Sequence, residues 1–140
     1  MKYLDSSILV AALQTNDAQH EPCARLLSTG GEFATSSHAL LETFSILTGG
    51  SSRPRVTADD AIQLLEENVG KSFQIVSLSP RELFQMMKLC RARGVRGGAI
   101  YDFQHLAAAN KAGAKVLHTL DVGEFRAFAR EGDPKIEKPS

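Results

Sequence analysis

Short apolar runs alternate with longer stretches of helical spacing along the whole chain, and few architectures accommodate that order. "KYL", "EFATS", "FQIVSL" and "KVLHT" read as strands, and "DPKIEKPS" supplies one short edge strand before a polar tail. Between them, "SSILVAALQ", "DAQHEPCARLLSTGG", "SHALLETFSILTGG", "TADDAIQLLEENVG", "SPRELFQMMKLCRARG", "AIYDFQHLAAAN" and "VGEFRAFA" read as helices. Their starts and stops are marked. Thr57 and Asp60 form a capping-box pattern, Ser79 stands as an N-cap before Pro80, and glycines close several of the helical stretches. Strands joined through helices predict a parallel sheet covered on both faces, a three-layer α/β/α sandwich.

The length of 140 residues suits one domain, 1–140, with a core that needs neither disulfides nor metals to hold it. "GGSSRPRV", from Gly49 to Val56, reads as a loop between helices, since neither half of the chain holds a complete sheet. Sixteen basic and sixteen acidic side chains cancel, so an anionic partner must be held by a local patch. Cys23 and Cys90 have neither C-x-x-C spacing nor a histidine cluster beside them, which predicts reduced thiols. The early run "ILVAAL" is too short for a signal core or a membrane span, and a cytoplasmic protein with no membrane partner is expected.

In an open parallel sheet, ligands bind beyond the carboxyl ends of the strands, so acids placed there carry the most information. Asp5 ends the first strand and Asp121 follows "KVLHT" by two residues. Either can be a plain helix cap, Asp5 before "SSILVAAL" and Asp121 in an Asp-x-x-Glu arrangement. Asp102 lies in the first turn of "AIYDFQHLAAAN", where the helix dipole favours an acid, yet at 100° per residue it falls at the margin of the apolar arc. Burial there costs free energy unless something positive faces it. Glu42 interrupts the crowded apolar run of "HALLETFSIL", and a solvated glutamate is the ordinary reading of it. If the sheet gathers these four acids, their repulsion demands a cation, and hard oxygen donors select Mg²⁺ or Mn²⁺ over zinc. Such a cluster is suited to phosphodiester hydrolysis.

"YLDSSILV", "LLETFSIL", "AIYDFQHLAAA" and "LHTLDVGEF", in that order and over nearly the whole chain, resemble the PIN-domain family, and within it the VapC-type toxin ribonucleases. The resemblance implies an acidic pocket of Asp5, Glu42, Asp102 and Asp121, with Asp5 and Asp102 as the principal ligands of Mg²⁺ or Mn²⁺. It also implies Thr119 and Ser6 as polar supports, an RNA substrate, a homodimer and a small inhibitory antitoxin. The chain departs from the family's commonest pattern by placing Glu124, not an aspartate, before Phe125, so no role is carried over to Glu124.

A nuclease also needs cations for the phosphate backbone. Arg91, Arg93 and Arg96, with Arg53 and Arg55, could form an RNA-binding rim, or could be solvated arginines. His105, with His20, His38 and His118, is set aside as a poor partner for a hard cation. Two rivals remain. A catalytically inactive PIN-like module that binds RNA or protein would be stabilised by neutralising an acid cluster, and this chain keeps all four acids. An acid-dependent phosphatase would be expected to carry Asp-x-Asp where this chain has "LDSS".

Overall fold

The computed structural model describes residues 1–49 and 54–140. Strands β1 (Lys2–Leu4), β2 (Phe33–Ser36), β3 (Gln74–Val76), β4 (Val116–His118) and β5 (Lys135–Glu137) form one sheet in the order β3-β2-β1-β4-β5. Every pairing is parallel, and the central strand β1 matches Lys2 to Phe33 on one side and to Val116 on the other. Among the described residues the connections carry α1 (Ser6–Leu13), α2 (His20–Ser28), α3 (Ser37–Thr48), α4 (Ala58–Leu65), α5 (Pro80–Arg93), α6 (Ala99–Ala112) and α7 (Val122–Phe128). The three-layer α/β/α sandwich with a central parallel sheet is the architecture expected from the alternation.

Side-chain alternation on the strands divides the core in two. Tyr3 and Leu117 point to one face, where Phe103, Leu106, Phe125 and Phe128 of α6 and α7 cover them. Leu4 and Phe33 point to the other, against Ile8 and Leu9 of α1, Cys23 of α2 and Phe73. Cys23 is a buried free thiol and Cys90 a partly buried one.

The local signals operate largely as expected. Ser79 and Glu82 make a reciprocal capping box, and Thr57 accepts from the backbone N–H of Asp60 at 3.1 Å. Two helices differ from expectation. The second starts at His20 and not at Asp17, because the Asp17 carboxylate accepts from the Gln19 N–H at 2.8 Å and holds that stretch as a turn. The fourth gives way to a π-helical turn at Glu66–Gly70, within which Val69 is fully buried.

From β1 the chain steps outward to β2 and β3, then returns to the opposite side of β1 for β4 and β5. The strand order therefore reverses between β1 and β4, and the crevice beyond their carboxyl ends is the position where open α/β sheets bind ligands.

Candidate active site

Asp5 and Thr119 leave β1 and β4 side by side at that crevice. The Asp5 backbone N–H donates to the His118 carbonyl at 3.2 Å, which extends the ladder one residue past the last pair. The Asp5 carboxylate is 2% exposed and accepts from Ser7 Oγ at 2.6 Å and from the Ile8 N–H at 3.2 Å. It is therefore the N-cap of α1 and a buried acid at once; the two readings of this residue coexist. Burial raises its pKa, against the opposing influence of His105 and of hydrogen bonds from Ser7 and Thr119.

Glu42 reaches the same place from α3. His105 Nε2 lies 2.8 Å from Glu42 Oε1, and the other ring nitrogen, Nδ1, lies 2.8 Å from the Tyr3 hydroxyl. His38 approaches Oε2 at 3.7 Å, and Ser6 also hydrogen-bonds this carboxylate. Burial pushes the Glu42 pKa up, but the hydrogen bond and charge of His105 outweigh it and leave the group below the ordinary carboxylate value. The solvated glutamate of the sequence reading is thus a half-buried, tethered one.

Asp102 projects from the first turn of α6. Its pKa is pushed up to about 7, first by burial, then by a side-chain hydrogen bond with Glu124, and further by the charge of Asp5. Two acids that hydrogen-bond each other must share a proton when no cation is present. Glu124, to which the family pattern carried no role, is therefore the partner of Asp102.

Asp121 stands at the start of α7 without making a side-chain cap there, so the capping explanation for this acid fails. It is exposed, and its backbone N–H donates to Thr119 Oγ1 at 3.0 Å. Thr119 in turn bonds Asp5, which makes it the polar link between the two acids. Ser7 was missed by the sequence reading, although its hydroxyl both binds Asp5 and accepts from the Leu120 N–H at 3.0 Å, tying β1–α1 to β4–α7. His105 was missed as well; it is 1% exposed and in the middle of the site.

Of the basic residues, Arg53 lies outside the described residues, and Arg55, Arg91 and Arg96 are exposed. Arg93 is already engaged. It pairs with Asp133 at 2.7 Å, donates to the Phe128 carbonyl at 3.0 Å and lies over the Phe103 ring.

The groups acting most strongly on Asp5 and Asp102 are burial, hydroxyls, His105 and other carboxylates, with no lysine or arginine. Both nitrogens of His105 have partners, so the donors offered to a ligand are oxygens. That set fits a hard divalent cation, which would relieve the repulsion between Asp5, Asp102 and Glu124. As placed, no three Asp, Glu, His or Cys side chains among the described residues are drawn tightly enough around one point to enclose an ion.

The PIN domain family profile matches residues 2–131. Among solved structures, Mycobacterium tuberculosis VapC20, a Sarcin-Ricin loop cleaving toxin, is 19% identical over 96% of this chain and 100% of its own, with a TM-score of 0.74. VapBC2 from Rickettsia felis, bound to a DNA fragment from the promoter, is 19% identical over 100% of both chains, with a TM-score of 0.67. A toxin-antitoxin complex from Klebsiella pneumoniae is 18% identical over 100% of this chain and 98% of its own, with a TM-score of 0.65. No curated sequence relative matches the chain. At these identities the structural likeness is one of fold.

Proposed function

Since this chain belongs to the PIN domain family, we propose that it is a Mg²⁺- or Mn²⁺-dependent endoribonuclease and the toxin of a toxin–antitoxin pair. The observation that carries this reading is the meeting of Asp5, Glu42, Asp102 and Glu124, from four separate segments, around the β1/β4 crevice with His105 at their centre. Asp5 and Asp102 would be the principal ligands, Glu42 and Asp121 would complete the set, and Ser6 and Thr119 would support it. When bound, such a cation would activate a water and offset charge on the phosphate.

The protein's own part is orientation and proton control. Ser7 and the Ile8 N–H hold the Asp5 carboxylate in one orientation. Asp102 gives up its proton to become a ligand, and a pKa near 7 makes that loss inexpensive at neutral pH. Exposed Arg55, Arg91 and Arg96, with Arg53, offer contacts to RNA phosphates.

The family's toxins and the Klebsiella complex support a small antitoxin as partner. A homodimer is part of the same reading. Phe84 and Met87 of α5 and Tyr101 of α6 are 63%, 50% and 56% exposed, and Met87 and Tyr101 line an apolar groove that a second copy would cover. A cytoplasmic setting accords with two free thiols, and among the described residues no helix is long and apolar enough to cross a membrane.

The test is cleavage of an RNA panel in Mg²⁺, in Mn²⁺ and in excess EDTA, beside a folded Asp102→Asn variant. Cleavage confined to the metal-supplied wild type is expected. Metal-independent cleavage, or full activity in the variant, would falsify the reading.

A further inference from the structure

One line of hydrogen bonds runs from the core of the sheet into the crevice. Tyr3, on the central strand and fully buried, sets its hydroxyl 2.8 Å from His105 Nδ1, and His105 Nε2 is 2.8 Å from Glu42 Oε1. The two rings meet edge-on with centroids 5.8 Å apart, so the imidazole is held by packing as well as by its two nitrogens.

The contacts themselves set the roles along this line. A carboxylate oxygen accepts and a ring N–H donates, so Nε2 carries the hydrogen of the contact with Oε1. The Tyr3 hydroxyl meets Nδ1 and is also hydrogen-bonded to Ser36 and Thr35, which hold the phenol in place.

We propose that Tyr3 and His105 are positioning residues for Glu42: they hold the imidazole with Nε2–H on Oε1 and so fix the orientation in which Glu42 serves the crevice. The role assigned to Glu42 rests on the nuclease reading. Neither residue touches substrate or cation; each acts through the carboxylate, as the outer partners of metal ligands do, where loss costs ~10–100-fold in affinity or activity.

Two readouts that do not depend on catalysis test this on the full chain. The first is ¹⁵N NMR of the histidine rings in EDTA, expected to show a hydrogen on Nε2 of His105. The second is Mn²⁺ affinity, by electron paramagnetic resonance titration, of the wild type, Tyr3→Phe, His105→Gln and His105→Leu. Tyr3→Phe keeps the ring and the core volume and is expected to weaken Mn²⁺ binding about 10-fold, the lower end of that range. His105→Leu is expected to lose more, whereas His105→Gln, whose amide N–H can replace Nε2–H, restores most of the affinity. A ring with no hydrogen on Nε2, or wild-type affinity in Tyr3→Phe, overturns the proposal, and Tyr3→Phe carries the test if His105→Leu does not fold. A wild type that binds Mn²⁺ with these differences yet cleaves no RNA sinks the nuclease reading and leaves the positioning role standing.

Discussion

The Asp5 N–H and the His118 carbonyl, 3.2 Å apart, continue the β1–β4 ladder one residue beyond its last pair and bring a buried carboxylate into the crevice. Because that carboxylate also caps α1, its two duties can be separated by substitution. Asp5→Asn keeps an oxygen for the Ile8 N–H and removes a buried charge. It is expected to melt at or above the wild-type temperature at neutral pH while losing RNA cleavage by at least about 100-fold. Circular dichroism melts run beside cleavage assays decide this. A variant that loses stability in step with activity would mean that the acid is mainly a cap.

Asp102 makes the metal-free protein sensitive to pH. Unfolded, its carboxyl ionises near the ordinary 3.8, whereas in the fold it ionises at about 7. Across that window the unfolded chain releases the proton first, so the stability of the metal-free protein falls as pH rises. In EDTA, Asp102→Asn is expected to melt above the wild type at about pH 8 and to approach it below about pH 4. Added Mn²⁺ should raise the wild-type melting temperature and leave the variant nearly unmoved. Parallel melting curves for the two proteins across pH in EDTA would contradict the shared Asp102–Glu124 proton.

The arginines divide by what already holds them. Arg93 is bound to Asp133, which also accepts from Asn110 and from the Arg130 N–H. Arg93→Ala is expected to cost about 1.5–3 kcal/mol in urea unfolding, as for other hydrogen bonds to charged groups, with cleavage per folded molecule unchanged. Arg91→Ala and Arg96→Ala should leave stability unaltered. If each arginine meets one phosphate, each substitution lowers the salt dependence of RNA binding by ~0.7 in log–log slope.

Exposed Met87 and Phe84 provide a separate check on assembly. Met87→Glu places a charge beside the apolar groove and is expected to shift the protein from dimer to monomer in light scattering. The same mass for both proteins, whichever state it is, would remove this face from the dimer reading.

Most of the fold could be read in advance because its signals are local. Strand alternation, the Ser79 and Thr57 caps and the glycine stops each act within a few residues, and they recover the elements and their parallel arrangement. The site was only partly legible. Asp5 and Asp102 stand out as acids in apolar surroundings, but His105 carries no local pattern that separates it from an ordinary core histidine. Its meaning depends on Tyr3 and Glu42, residues 102 and 63 positions away in the chain. Ser7 escaped for the same reason, since its partner Leu120 is 113 residues distant. Asp121 shows the reverse failure, where a local pattern promised a cap that the folded backbone does not use.

The position of β1 in the middle of the sheet has a consequence for synthesis. Lys2 finds Phe33 early, but its other neighbour, Val116, is synthesised far later than either. Until then Asp5 and Glu42 exist without the strand and helices that close the crevice around them, and contacts this far apart in sequence form slowly. A nascent chain therefore carries Asp5 and Glu42 well before it has the strand and helices that form the crevice around them.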